Sequence, residues 1–416
     1  MLTEKFFVFE KLFFFLNETS RKKLYKILNT VKEKRFFIKG GDKLDLIIID
    51  NFLPSPLSPW RTYEFSELCK KNSNSRIYCD LNSFKKYSIG NSFNDSVKNL
   101  EVQFPSLKDK IYKFSVFNFI DSRLVYFLFY ENVNKYFEIL VRLKQDFVFT
   151  LYPGGCFEIN NSKIDSRLSR ICQSDICKKV IVNQYLVEEY LIDNRICPKR
   201  KIKLIHGVPL NLESSSGSLE NQKKDLNSTL KVLFMGNKYT KDGEDKGFPV
   251  FVDFAHYAVK QNLDLKFVIA GNFSRNDVRE DLQGIFEFRG FIQETDFTEF
   301  FKDIHIIISP NQPFRLKLGA FDGFPLATCV SAAFNEVLIL ATDFFEEGER
   351  IQFQDKIHFL KIFPTVKSIV DSVNLILSDR SIISSITRNA KLKIKDHYSF
   401  NSQIKPRLNL FEELLK

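Results

Sequence analysis

The chain has 416 residues, enough for two or three domains of ordinary size, and its 44% hydrophobic and 27% charged content is that of a folded protein rather than a disordered one. Its formal charge of +10 admits nucleic acid, an anionic surface or a phosphate-bearing ligand as partner. Nucleic acid is set aside, because the best basic cluster, Lys199-Arg200-Lys201-Ile202-Lys203, is short and no zinc-finger or RNA-binding spacing occurs.

Residues 1–16 are apolar but broken by Glu4, Lys5, Glu10 and Lys11 into pieces too short for a signal peptide or a membrane span. The stretch 20–34 puts Leu24, Ile27, Leu28 and Val31 on one helical face, with Arg21, Lys22, Lys23, Lys26 and Lys32 around the rest. Residues 1–40 therefore read as a helical segment with a basic amphipathic helix. Two readings stay open for it: a helix docked on its own domain, or a peripheral contact at the inner membrane face. The seven cysteines, Cys69, Cys79, Cys156, Cys172, Cys177, Cys197 and Cys329, are odd in number, irregular in spacing and lack a C-x-x-C. That predicts reduced thiols in a cytoplasmic setting and no structural zinc site.

From residue 41 short apolar strands alternate with helical stretches, the pattern of a parallel α/β layer fold. Strands are expected at 44–50, around 76–80, and at 112–119, 147–151, 179–183 and 202–205, with helices at 62–71 and 184–191. This first unit spans 41–210. The serine-rich and then polar stretch 211–229 reads as a linker or surface loop. A second α/β unit covers 230–395, with strands at 232–235, 265–270, 286–289, 304–309, 337–341 and 358–362. Its helices are expected at 249–261, 295–302, 365–377 and 381–391. The tail 396–416 reads as a helix that crosses back to the first unit.

In such a sheet ligands gather at the C-terminal strand ends. There the second unit offers Met235-Gly236-Asn237-Lys238, then Asp245-Lys246-Gly247, Gly271, Gly290, and Arg315 and Lys317 ahead of Phe321-Asp322-Gly323-Phe324-Pro325. Gly236 permits close approach of backbone to a ligand, and Lys238 and Lys246 set positive charge beside a helix start, a setting for a diphosphate. In the first unit Gly154 and Gly155 follow a strand, and His206 ends one. These are candidates for the first unit's side of a cleft, which would be the acceptor side if the resemblance described next holds. Trp60 and Arg61, after the first strand's proline loop, have no assigned face.

The order of these pieces resembles the retaining glycosyltransferases of the two-Rossmann-domain type, known as glycosyl transferases group 1. Val232-Leu233-Phe234-Met235-Gly236 with Asp245-Lys246-Gly247 is similar to that family's first strand and lysine turn. Phe267-Val268-Ile269-Ala270-Gly271 is similar to its second strand, and Asp322-Gly323-Phe324-Pro325 through Ala341-Thr342-Asp343 to its donor-binding signature. In the first unit 179–183 and Ile205-His206-Gly207-Val208-Pro209 resemble the stretch before the hinge. The resemblance implies two Rossmann-like doubly wound domains facing each other across a cleft. It implies transfer of a sugar from a nucleotide-sugar to a glycan, lipid-linked or protein acceptor, with retention. Lys246 would stabilise the leaving diphosphate, and Asp322 would stand near the transferred sugar. Gly236, Asn237, Lys238, Gly271, Arg315, Lys317, Gly323, Phe324, Pro325 and Ser331 would bind the donor. No metal and no cofactor are implied, the nucleotide-sugar being a substrate. Two positions depart from the pattern: Asn237 replaces an arginine, and Ser331 stands where an acidic residue contacts the nucleotide ribose. The alternative is a catalytically silent protein of the same fold, partner to an active paralogue.

Overall fold

The computed structural model describes residues 43–55, 57–80, 92–114, 122–212 and 224–416. The amphipathic stretch at 20–34 and most of 211–229 lie outside them.

The first half builds a parallel sheet from β1 (Leu44–Asp50), β2 (Ser75–Cys79), β3 (Ile111–Lys113), β4 (Ser122–Leu128), β5 (Phe147–Leu151), β6 (Cys177–Val182) and β7 (Ile202–Leu204). The strand order is β3-β2-β1-β4-β5-β6-β7. Its helices are α1 (Pro59–Lys71), α2 (Phe93–Gln103), α3 (Tyr130–Leu143), α4 (Ser162–Gln173) and α5 (Tyr185–Asp193). Side chains alternate across a strand, so a central parallel strand must be apolar at every position. β1 does this over 46–49: Leu46 and Ile48 enter one core with Phe65 and Leu68 of α1, while Ile47 and Ile49 enter another with Val133, Phe137 and Leu140 of α3.

The second half repeats the plan with β8 (Leu230–Gly236), β9 (Leu265–Gly271), β10 (Phe286–Gly290), β11 (Ile306–Ser309), β12 (Leu338–Ala341) and β13 (Leu360–Lys361), in the order β10-β9-β8-β11-β12-β13. The helices are α6 (Phe248–Lys260), α7 (Phe297–Phe301), α8 (Ala327–Phe334), α9 (Glu347–Arg350), α10 (Val366–Ser378), α11 (Ser381–His397) and α12 (Phe400–Leu415). Again the strands feed two cores. Ile306, Ile308, Leu338 and Leu340 pack with α6 and α10, and Ile307, Ile339 and Ala341 pack with α8 and α11. Both orders place the first strand of each half centrally, with the chain winding outward on either side. That is a doubly wound α/β architecture, as the sequence predicts, and its switch point in the second half lies between β8 and β11.

Several elements differ from the sequence reading. α2, β4, α3 and α4 are absent from it, and the strand expected at 112–119 is β3 up to Lys113, with 115–121 outside the described residues. The ends of the 211–229 stretch that are described sit against the second half. Leu212 is buried in its core, and the Lys224 ammonium donates to the carbonyls of Phe301 and Ile304. Burial pushes Lys224 down to about 7. α12 turns away from α11 behind the N-cap Ser399, and its Leu410, Phe411 and Leu415 join the α1 core of the first half.

Candidate functional site

The loops that follow β8 and β11 meet beside the switch point. After β8 the chain makes a 3-10 turn, Glu244–Lys246, which ends on Gly247 at φ +69°. A Cβ at Gly247 would lie 2.0 Å from the carbonyl oxygen of Pro310, so only glycine lets this turn seat against the loop after β11. The seating aims Lys246 at that loop. Its Nζ lies 2.6 Å from Asp322 Oδ2 and 3.8 Å from Asp245 Oδ2, and 5.2 Å from the centre of the Tyr239 ring. Asn311 Nδ2 donates to the same Asp322 oxygen at 2.7 Å. Burial alone would push the Lys246 ammonium down, but the charge and hydrogen bond of Asp322 outweigh it and hold Lys246 above its ordinary value. Lys246 is buried, whereas Asp322 stands at the surface of the cleft.

The loop carrying Asp322 is clamped to the first half. Phe324 N donates to Gln184 Oε1 at 2.9 Å, and a Cβ at Gly323 would meet Gln184 Nε2 at 2.9 Å. Gln184 is the N-cap of α5, and the first amides of that helix receive the Glu347 carboxylate: Tyr185 N at 3.0 Å and Leu186 N at 2.7 Å. Glu347 is itself held by Asp343, whose carboxylate accepts from Glu347 N and Gly348 N at 3.0 and 2.9 Å. Burial raises the Asp343 carboxyl, partly offset by these two amides. Between Asp322 and Glu347 a cavity of about 40 Å³ remains.

A second opening, about 160 Å³, lies on the other side of Gly236. Both halves line it: Leu57, Pro59 and Trp60 from the first, and Met235, Gly236, Asn237, Gly271, Glu294 and Ser331 from the second. Gly236 lies beside Lys246, an added Cβ there lying 3.9 Å from Lys246 Cγ, so the wall of this cleft borders the lysine side chain.

The structure thus gathers Lys246 and Asp322 at one point and Gly236, Asn237, Gly271 and Ser331 around the adjoining cleft. It places others elsewhere. Lys238 Nζ pairs with Asp277, and its amide donates to Asn272 Oδ1. Arg315 is exposed and donates to Gln312 Oε1 at 3.2 Å, and Lys317 Nζ lies 3.7 Å from Glu158 Oε1 across the halves. Their loop is strapped to the first half where Ile159 N donates to the Gly319 carbonyl at 2.9 Å. Gly323 and Phe324, however, line the cavity beside Asp322; the Phe324 ring also packs 5.2 Å from that of Phe359, and Pro325 follows it through a cis peptide. Gly154 and Gly155 form the turn after β5, with Gly155 packed under Phe129.

His206 is buried at the seam, its Nδ1 3.1 Å from His397 Nε2 and its Nε2 3.2 Å from Glu347 Oε2, and it lines neither of these two openings. The Glu347 contact is close in distance yet lacks hydrogen-bond geometry, so it is read as packing and charge proximity. Residues the sequence did not single out are Asn311, Gln184, Glu347 and Glu294. None belongs to a spacing pattern; each is defined by a contact between distant segments. No helix among the described residues is long and apolar enough to cross a membrane.

No protein-family model and no curated protein matches the sequence. Solved structures do match. A glycosyltransferase from Rickettsia africae ESF-5 superposes with a TM-score of 0.65 at 15% identity, over 90% of this chain and 100% of that one. The fold is that of the two-Rossmann-domain glycosyltransferases. Anabaena HepE, solved with UDP and glucose, gives a TM-score of 0.63 at 11% identity, covering 89% of this chain and 100% of its own. Sucrose-phosphate synthase from Thermosynechococcus elongatus gives 0.60 at 11% identity, covering 89% and 99%. At these identities the likeness carries the fold alone.

Proposed function

We propose that this chain is a retaining glycosyltransferase that uses a nucleotide-sugar donor and a saccharide, lipid-linked or protein acceptor. The observation that carries the reading is the 2.6 Å pairing of Lys246 with Asp322 beside the switch point, next to Gly236 in the wall of a cleft lined by both halves. The nucleoside would lie in the 160 Å³ cleft against Gly236, Gly271 and Ser331. The diphosphate would pass Gly236 and take the Lys246 ammonium, and the sugar would reach Asp322. As the sugar–phosphate bond breaks, negative charge grows on the diphosphate oxygen. A buried, fixed ammonium stabilises that charge without reorganising. Lysine takes here the part a metal plays in other transferases. Asp322, exposed at the mouth, would orient the sugar's hydroxyls. UDP in the HepE complex supports a nucleoside diphosphate as leaving group.

Ser331 favours a second reading, a silent partner of the same fold, because its hydroxyl forms cleft wall where a carboxylate is expected. One experiment separates the two. The chain is titrated with UDP and GDP by thermal shift, and then incubated with their sugar conjugates while free nucleotide and free sugar are followed by chromatography and proton NMR. Release of the sugar first in the donor's own anomeric form supports the retaining enzyme. Release in the opposite form overturns retention. Binding without release supports the silent partner. No shift with either nucleotide removes both.

A further inference from the structure

Glu294 lies in the 3-10 turn Glu294–Asp296 that follows β10, and it is one of the residues that line the 160 Å³ cleft. The same cleft is lined by Ile292 and Phe297 from its own segment, Met235 at the end of β8, and Trp60 and Leu57 from the first half. Among the described residues none of the others that line it is charged, and the Glu294 carboxylate makes no hydrogen bond or ion pair. Burial among these walls, with no partner charge, pushes its carboxyl up to about 7. A carboxylate half-buried without a partner weakens the fold, and such groups gather where a ligand supplies the partner. With Asn237, Thr328 and Ser331 neutral, Glu294 is the one carboxylate among the described residues that line the cleft.

We infer that Glu294 is the carboxylate that binds the nucleoside of the donor, accepting hydrogen bonds from the ribose hydroxyls or a base N–H, and that it does so in place of an acidic residue at Ser331. The inference rests on the donor reading above. It assigns nucleoside recognition to the loop after β10 rather than to α8. Apolar walls fit the faces of a base, and a lone carboxylate fits a neutral group rich in donors. The ionised form of Glu294 is the form that accepts, so nucleoside binding must draw a proton off the carboxyl at low pH.

The test uses the full chain and Glu294→Gln, which keeps size and removes charge. Each is titrated by calorimetry with UDP and GDP, and the nucleotide that wild type binds is carried on. Its 2′-deoxy analogue lacks a ribose donor, and its base N-methyl analogue (N3 for uracil, N1 for guanine) lacks the base N–H. Glu294→Gln is expected to weaken binding at least tenfold at pH 8. The analogue that lacks the hydrogen-bonded donor is expected to lose affinity for wild type but not further for Glu294→Gln. The wild-type advantage should also shrink by up to about tenfold between pH 8 and pH 6, while titration of the phosphate affects both proteins alike. Equal affinity of the two proteins, or an equal loss with both analogues in both proteins, overturns the inference and leaves the donor reading standing. Absence of UDP and GDP binding to wild type overturns that reading itself. A thermal melt of Glu294→Gln confirms that any loss comes from a folded protein.

Discussion

Lys246 pairs with Asp322 at 2.6 Å, and a bound diphosphate would compete for the same ammonium. On the proposed function, replacing Lys246 with alanine removes the positive charge that would meet the leaving group. Transfer should fall at least tenfold, about 1.4 kcal/mol of transition-state stabilisation, with the loss seen in kcat as well as kcat/KM. Turnover unchanged in Lys246→Ala would place the phosphate site elsewhere. Glu294 makes a different kind of demand. Its folded carboxyl titrates at about 7 against an ordinary 4.5, so it contributes no penalty below pH 4.5, where it is protonated in both states. Between those values the folded chain holds a proton that the unfolded chain has lost, and stability falls as pH rises. Glu294→Gln should therefore melt with wild type near pH 4 and above it at pH 8. The gain, discounted for partial exposure, is roughly 1–3 kcal/mol. Melting curves that stay parallel from pH 4 to pH 8 would remove Glu294 from the list of strained groups. Gain of stability on losing the carboxylate is what a residue kept for binding shows.

The turn that carries Lys246 is fixed by one backbone conformation. Gly247→Ala would place a methyl 2.0 Å from the Pro310 carbonyl at a φ of +69°, so the turn must shift and take Lys246 with it. The expected result is a folded protein whose transfer falls about as far as in Lys246→Ala; full activity would mean the turn tolerates displacement. Such elements were legible in the sequence where apolar runs end in glycine, as β8 and β9 do. β1 and β5 read correctly for the same reason, being apolar on both faces. α3 was not legible. It begins at Tyr130 behind Phe129, which sits at φ +68° and gives no side-chain cap, so no start signal separates it from β4. α4 does carry a cap, Asn161, but its apolar stripe of Leu168, Ile171 and Cys172 is short among charges. Lys246 and Asp322 were singled out because Asp245-Lys246-Gly247 and Asp322-Gly323-Phe324-Pro325 resemble motifs of a known family. Glu294 was not, because Gln293-Glu294-Thr295-Asp296 has the composition of any solvent turn, and only the fold sets Trp60 and Phe297 around the same space.

The halves meet in two ways, and the difference decides how a donor could enter. At the strand ends they touch through Glu347 on the α5 amides, Gln184 on Phe324 and the Gly319 strap, leaving about 40 Å³ beside Asp322. That is room for about three waters at roughly 10–15 Å³ each. A sugar that reaches Asp322 would displace this water, and it would part these polar contacts if the halves move as those of other two-domain enzymes do. At the opposite end α12 returns to the first sheet and stays buried there. Arg407 is fully buried, with Nη1 on the Gln403 carbonyl at 2.5 Å, Nη2 3.4 Å from the Tyr152 hydroxyl and Nε 3.5 Å from Glu64 Oε1. Glu64, on α1, also accepts from the Tyr126 hydroxyl. Burial raises the Glu64 carboxyl even with Arg407 beside it, so removing the arginine would leave a charge that the core cannot hold. Arg407→Met should destabilise the protein by about 3–5 kcal/mol in denaturant unfolding. The double variant Glu64→Gln, Arg407→Met should recover part of that loss, since neither residue then leaves a lone charge. A single-variant loss below about 1 kcal/mol would mean that α12 is held by Leu410 and Phe411 alone, and that the buried pair does not tie the crossing helix to the first half.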